Sequence, residues 1–276
     1  MKSMPFNQGI PTIVSTRIKN LSFLLIIQVV FIHAYRPTWN VNPHGFDKFN
    51  YFIQYLISQE ICRSAVPLFF IISGYLFFIG YKATAKWLFE KWQRRISSLM
   101  VPYLLWSLIG IVSFFVMQSI PSTTHFFTHN LLKDYTLFDF LKTLLWQPVP
   151  YQLWFIRYLF LYILLAPVMY FVCQKFYSVL VLVVVTALLL IFPVLVHYHF
   201  IEWFSYGAVL YYMGFYLLGN FLSINNNKIR LTPLSTSEQA IFFLIWLTLC
   251  FTETYLKIAL HLTMFGLHDL TIFIGI

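Results

Sequence analysis

The segment RSAVPLFFIISGY, Arg63 to Tyr75, decides the fold of this chain. An arginine opens an apolar run that also contains Pro67 and a small Ser73-Gly74 step. Placing an arginine beside hydrocarbon costs roughly 2.5–3.5 kcal/mol, so its side chain has to face protein or water. Proline and glycine are tolerated in a membrane helix where neighbouring helices satisfy freed backbone groups and pack closely. The segment therefore predicts a membrane helix that packs closely against neighbouring helices and whose arginine has a functional role.

The composition extends this prediction to the whole chain. Of its 276 residues 60% are hydrophobic, 21% aromatic and only 10% charged, and the mean hydropathy is +0.76. These values exceed those of a soluble domain and indicate an integral membrane protein. The formal charge of +9 comes from Lys and Arg residues between the apolar runs, where such residues set the orientation of a membrane protein. Since no basic module with interleaved aromatic residues is present, we expect no nucleic-acid partner.

Apolar segments of helical length predict an all-α, polytopic membrane helix bundle of about eight transmembrane helices. They lie at Leu21 to Ala34, Ile61 to Ile79, Leu99 to Ser119, Leu153 to Val172, Val179 to Val196, Phe204 to Leu222, Gln239 to Tyr255 and Ile258 to Ile276. Eleven Lys and Arg side chains fall on one side of these spans and six on the other. This bias predicts a cytoplasmic N-terminus, and we expect a multi-pass protein of the inner or plasma membrane.

The first predicted span ends in FIHAYRP, which places His33 close to the outer membrane boundary. At about 100° per residue, Ser22 lies on the His33 face roughly 16 Å earlier, and Lys19 lies within about 40° of it. A histidine at this depth is either an interfacial residue or a base at the mouth of a cavity. The polar groups along its face favour the base, because ionisable residues inside membranes are functional candidates.

Three further groups at the outer side are candidates for a site. Glu60 precedes Arg63 by three residues, so the two share a helical face and form either a boundary ion pair or an oriented site pair. Arg157 lies about four residues into its span and either snorkels to the interface or lines the same outer cavity. In the segment HYHFIEW, Glu202 is either part of an interfacial belt or a contact for sugar hydroxyls.

The densest basic segment is YKATAKWLFEKWQRRISSLM, which contains Lys91, Arg94 and Arg95. Cytoplasmic loops collect such charges for topology alone. The alternative is a phosphate site, because Arg binds phosphate through paired hydrogen bonds and Lys adds a point charge. His125 and His129 have the spacing His-x-x-x-His without a nearby third ligand, and the three cysteines are scattered, so we expect no metal site.

These motifs together resemble acyltransferase family 3, membrane proteins that acylate sugars of bacterial envelopes. The resemblance is carried by Arg63 to Tyr75, by His33 at the outer end of the first helix, by Arg95 before Pro102 and its Tyr-Leu-Leu-Trp run, and by YQLWFIRYLF. Two positions depart from the family pattern. Ser22 stands where members have an arginine, with Lys19 or Arg17 as substitute, and Ser98 stands at the second arginine of a pair, with Arg94 as its substitute.

The resemblance implies one acyltransferase domain over residues 1–276, lacking one or two C-terminal helices of the roughly ten usual in the family. It implies transfer of an acyl group, by family habit acetyl, from cytoplasmic acyl-CoA to a hydroxyl of an envelope saccharide or lipid-linked glycan. No cofactor is expected to stay bound. His33 is expected as general base, with Arg63 or Arg157 stabilising the oxyanion or positioning the acceptor. The donor-binding residues would be Lys91, Arg94 and Arg95, and Glu60 and Glu202 would orient or contact the acceptor.

Two other functions fit parts of the sequence. A saccharide exporter would also need a polar-lined cavity among apolar helices, but the halves of this chain show no inverted repeat. An inactive, truncated family member would explain Ser22, Ser98 and the short C-terminal part.

Overall fold

The structure, a computed structural model, describes residues 12–35, 46–80, 82, 84–127, 131–175, 207–225, 234–260, 271 and 275. Within these ranges every regular element is helical, which confirms the predicted all-α class. The helices are α1 Thr12–Ala34, α2 Phe46–Tyr55, α3 Ala65–Phe78, α4 Ala85–Arg95, α5 Val101–Ser119, α6 Pro121–Thr124, α7 Leu137–Leu145, α8 Trp154–Leu164, α9 Ala166–Lys175, α10 Gly207–Ile224 and α11 Thr236–Ala259.

Short turns of different pitch join some of these helices. Two are π-helical, Leu56–Glu60 and Ile96–Met100, and three are 3-10 turns, Ile61–Ser64, Leu132–Asp134 and Tyr151–Leu153. The described chain forms two compact units, one from Met1–Gly80 with Met169–Ile276 and the other from Tyr81–Val168. Both π-helical turns lie next to residues that the sequence marks as candidates, and π-turns within helices are frequent at functional sites.

Four helical runs in the described part of the chain are long and apolar enough to cross a membrane. They are Val14–Ala34, Lys48–Phe78, Ala85–Ser119 and Thr236–Ala259. Four of the predicted spans fall within them. The predicted segments Leu153 to Val172 and Phe204 to Leu222 coincide largely with helices α8, α9 and α10. Val179 to Val196 and most of Ile258 to Ile276 lie outside the described residues.

The helical run around Arg63 begins earlier than the sequence predicts. The apolar pattern starts at Ile61, but the chain is helical from Phe46 through α2 and the two turns into α3. The segment FDKFNYFIQY reads as a polar loop because its charged and amide residues alternate with aromatic ones, whereas as a helix it is amphipathic. Arg63 therefore lies near the middle of a 31-residue candidate span.

The first unit is organised around the packing of α3 against α10. This pair makes the most extensive contact between any two helices in the described residues. Gly74 and Gly219 allow it, because a Cβ on Gly74 would collide with the Tyr216 carbonyl oxygen and one on Gly219 with that of Ile71. Small residues let membrane helices approach in this way. Aromatic rings fill the rest of the interface, such as Phe70 stacked on Tyr212 with centroids 5.0 Å apart.

The second unit is built on α5. Its Ser107 hydroxyl donates to the Leu144 carbonyl oxygen at 3.0 Å, and Gly110 lies against Pro150. Helix α7 begins with a capping box in which Thr136 and Asp139 exchange side-chain and backbone hydrogen bonds. Those bonds hold the pKa of the Asp139 carboxyl below its ordinary value, so the cap stays charged and intact at neutral pH.

Candidate active site

In the first unit, the structure places His33 and Arg63 within electrostatic reach of each other. Helix α1 packs on α3 and on the π and 3-10 turns that precede it. His33 lies in the last turn of α1, and the charge of Arg63 acts electrostatically on its imidazole. Both side chains are exposed at the surface of this unit. A histidine and a cation, thirty residues apart in sequence, thus lie within electrostatic reach of each other on two packed segments of the same unit.

The 3-10 turn holds Arg63 next to a polar partner that the sequence did not suggest. The Arg63 guanidinium donates a hydrogen bond to Gln59 Oε1, four residues earlier. Glu60, the predicted orienting partner, is only 2% exposed and interacts electrostatically with Tyr55. The carboxylate of Glu60 therefore belongs to the interior of this unit, while Arg63 faces outward.

A second acidic side chain joins this interior cluster. Glu253 on α11 is 7% exposed and accepts a hydrogen bond from the Thr271 hydroxyl at 3.3 Å. Both Glu60 and Glu253 act electrostatically on Tyr55, and the ammonium of Lys257 lies 4.8 Å from the Tyr55 ring centroid. Sequence motifs missed Glu253. The signal that could have found it is a carboxylate within an apolar span, which is rare without a polar neighbour.

Arg157 belongs to the second unit, where two aromatic rings hold it. Its guanidinium lies 4.6 Å from the Trp146 ring centroid and 5.0 Å from that of Tyr158. Such cation–π contacts are worth about 0.5–2 kcal/mol, depending on exposure. Its Nε atom is buried and has no hydrogen-bond partner among the described residues. The side chain is therefore half-buried, with its Nε atom inside the unit and its guanidinium against two aromatic rings.

The predicted donor-binding cations stay together in the same unit. Lys91, Arg94 and Arg95 lie in the second half of α4, and the charges of Arg94 and Arg95 act electrostatically on Lys91. The Lys91 ammonium lies 5.1 Å from the Trp87 ring centroid. Next to them, the indole of Trp92 donates to the Ile163 carbonyl oxygen at 2.8 Å and fastens α4 to α8. Helix α4 thus carries a cluster of three positive charges and is held to α8 by a hydrogen bond.

The remaining candidates are Glu202, the two histidines of the His-x-x-x-His spacing, and Ser22 with its substitutes. Glu202 and His129 lie outside the described residues. His125 packs on the ring of Phe126, with centroids 4.0 Å apart. Within the described ranges no three His, Cys, Asp or Glu side chains are placed to hold a metal ion. Ser22 is half-buried, and its possible substitutes Arg17 and Lys19 are exposed.

Comparisons with known proteins bear directly on the resemblance. The succinoglycan biosynthesis protein ExoH of Rhizobium meliloti (strain 1021) is 27% identical over 191 residues, which cover 65% of this chain and 49% of the relative. The chain thus spans about half the length of this curated relative. No solved structure matches the chain at a significant level. The model of acyltransferase family 3, described as an acyltransferase domain, matches residues 17–274. This chain therefore belongs to acyltransferase family 3.

Proposed function

We propose that this protein transfers an acyl group from cytoplasmic acyl-CoA to a hydroxyl of a cell-envelope saccharide or lipid-linked glycan. We propose acetyl as the acyl group. The observation that carries the proposal is the packing of the helix that bears His33 against the segment that bears Arg63, within electrostatic reach of each other, in a chain of an acyltransferase family. The similarity to a protein of succinoglycan biosynthesis supports a polysaccharide as the acceptor.

In the proposed mechanism, His33 is the general base. An imidazole titrates near neutrality, so it can take the proton of a sugar hydroxyl as that oxygen attacks the thioester carbonyl. The carbonyl oxygen then carries negative charge, and a guanidinium from Arg63 or Arg157 stabilises it or positions the acceptor. The carbon–sulfur bond breaks, and the imidazolium returns the proton to the departing CoA thiolate. The products are a sugar ester and free CoA.

The proposed topology places the donor site in the cytoplasm. We propose about eight spans in the inner or plasma membrane with a cytoplasmic N-terminus, which the excess of Lys and Arg on that side supports. Lys91, Arg94 and Arg95 then hold the phosphates of acyl-CoA, for which paired guanidinium hydrogen bonds are suited. Glu60 orients the segment that carries Arg63 from the interior of the first unit, and Glu202 contacts the acceptor.

Labelled acetyl-CoA tests this function directly. Inside-out membrane vesicles from a bacterium that expresses the chain would receive acetyl-CoA labelled in its acetyl group, on the exposed cytoplasmic side. The expected result is label in an alkali-labile ester of saccharide, several-fold above vesicles without the chain. Label that never exceeds this background, with the protein present and folded, would contradict acetyl transfer.

Removing the two arginines of the donor site is expected to weaken the binding of acyl-CoA and so to raise its KM. A charge-assisted hydrogen bond contributes about 1.5–3 kcal/mol, so Arg94→Ala with Arg95→Ala should raise the KM for acetyl-CoA by at least tenfold. The vesicle assay, run over a range of acetyl-CoA concentrations, measures this change.

Lys86→Ala is the matched control for this pair. Lys86 is an exposed cation on the same helix, two turns before Arg94. Its removal takes away positive charge without touching the predicted site, so the KM should stay within about twofold of the wild type. Equal KM values for all three proteins would show that these arginines serve topology alone.

A further inference from the structure

A cavity in the second unit combines an apolar lining with one cation. Its volume is about 190 Å³, and its walls come from the start of α5, the end of α7 and the length of α8. The lining residues are Met100, Tyr103, Leu145, Trp146, Ile156, Arg157, Phe160, Leu161 and Leu164. Of these nine, Arg157 alone carries a charge. Pockets for small organic ligands have this character, with many apolar contacts and a few placed polar groups.

Of the polar groups at this cavity, the Tyr103 hydroxyl is engaged within the unit and the Arg157 Nε–H lacks an acceptor there. The Tyr103 hydroxyl is already used, since it donates to the Leu145 carbonyl oxygen at 3.0 Å. Arg157 is held by the rings of Trp146 and Tyr158. Its buried Nε–H has no acceptor within the described part of the chain, and leaving such a donor unpaired is unfavourable. An acceptor oxygen on a ligand would satisfy it.

The distance from the cavity to the cations Lys91 and Arg95 matches the length of the arm of CoA. Tyr103 lies eight residues after Arg95 and twelve after Lys91 on the helical run Ala85–Ser119, which is about 12–18 Å at the helical rise. The arm of CoA has about thirteen bonds between its phosphate and its sulfur. At roughly 1.2 Å of reach per bond, as in an extended peptide, it spans about 16 Å.

We propose that this cavity is the acyl subsite of the donor site. It receives the short acyl chain of acyl-CoA, and the Arg157 Nε–H donates to the thioester carbonyl oxygen while the phosphates lie on Lys91, Arg94 and Arg95. The inference rests on the proposed function and assigns Arg157, not Arg63, to the carbonyl. The volume suits a short chain, because a cavity of about 150 Å³ already accepts benzene.

A second cavity in the same unit supplies the control. It has a similar volume of about 220 Å³ and is lined by Leu108, Ile111, Val112, Phe115, Leu132, Tyr135 and Phe140. It lacks a charged side chain in its lining. Phe140 and Phe160 are both half-buried, so changing either to alanine removes a comparable ring from an apolar wall. Only the Phe160 change enlarges the proposed subsite.

Binding of CoA thioesters of increasing length tests the proposal. Free CoA, acetyl-CoA, butyryl-CoA and hexanoyl-CoA would compete with tritiated CoA for the full chain in detergent. Each newly buried methylene is worth about fourfold in affinity. We therefore expect Phe160→Ala to raise the affinity ratio of hexanoyl-CoA to acetyl-CoA at least tenfold, with free CoA bound as by the wild type. Phe140→Ala should leave the ratio unchanged.

The possible outcomes distinguish a wrong assignment of the acyl subsite from a wrong assignment of the whole donor site. A milder Phe160→Leu variant should shift the ratio in the same direction and covers the case in which Phe160→Ala does not fold. If the ratio stays the same in all variants while free CoA still binds, the acyl subsite is wrong and the donor proposal stands. If no CoA species binds to the folded wild type, both are wrong. If Arg94→Ala with Arg95→Ala weakens all four species equally and keeps the ratio, the division into phosphate and acyl subsites is supported.

Discussion

Replacing His33 with alanine is expected to lower the rate of acyl transfer by about 10²–10⁴-fold, the usual contribution of a general base. Without the imidazole, the sugar hydroxyl has to attack the thioester while it still holds its proton, or lose it to water. Since α1 extends from Thr12 to Ala34 and His33 is an exposed residue of its last turn, the substitution should leave the helix and its packing intact. The initial rate of ester formation in vesicles, at equal amounts of inserted protein, measures the effect.

His125→Ala is the control for this loss. His125 is also an exposed histidine, but it lies in the second unit against Phe126 and has no place in the mechanism. Its removal should leave the rate within about twofold of the wild type, as expected for a surface change. A His33→Ala protein that keeps more than a tenth of the wild-type rate would contradict the role of His33 as general base.

The second large effect is expected on stability, at the contact of α3 with α10. Gly74→Ala and Gly219→Ala each place a methyl group against a backbone carbonyl oxygen of the facing helix. Forcing extra volume into packed helices costs about 1–3 kcal/mol, and we expect the upper end because backbone atoms have to move. The midpoint of thermal unfolding in detergent should fall by several degrees, at about 2–4 °C for each kcal/mol.

Ser73→Ala is the matched control for the glycine variants. Ser73 is the half-buried neighbour of Gly74 on the same helix, and its change to alanine adds no volume. Its unfolding midpoint should stay within about 2 °C of the wild type. Glycine variants as stable as Ser73→Ala would show that the two helices do not pack as closely as described.

Much of this fold could be predicted from apolar run lengths. The helices at residues 61–79, 99–119 and 239–255 were predictable because long, mostly apolar runs have few other solutions in a membrane. The small step at Ser73-Gly74 also predicted close packing, and α10 provides it at Gly74. The earlier start of the second helical run was missed, because the mixed residues of Phe46–Tyr55 give no long apolar run.

The candidate site was predictable only in part. His33 and Arg63 were singled out by depth and by family resemblance, but periodicity within one helix cannot show which residues of two helices meet. The burial of Glu60 with Tyr55 and Glu253 depends on the packing of α11 near the π-turn, which no local pattern encodes. For the same reason the rings that hold Arg157 were not foreseen, since Trp146 follows the end of α7 and precedes Arg157 by eleven residues.

The most direct test of the central claim measures alkali-labile acetate on envelope carbohydrate. Three bacterial cultures would be compared: cells that express the chain, cells that express His33→Ala at the same membrane abundance, and cells that express neither. Acyl transfer through His33 predicts that acetate rises with the chain and falls to the level of cells without it in the variant. Acetate that is equal in all three cultures would contradict acetyl transfer to an envelope saccharide, and acetate that rises equally with the chain and with the variant would contradict the role of His33.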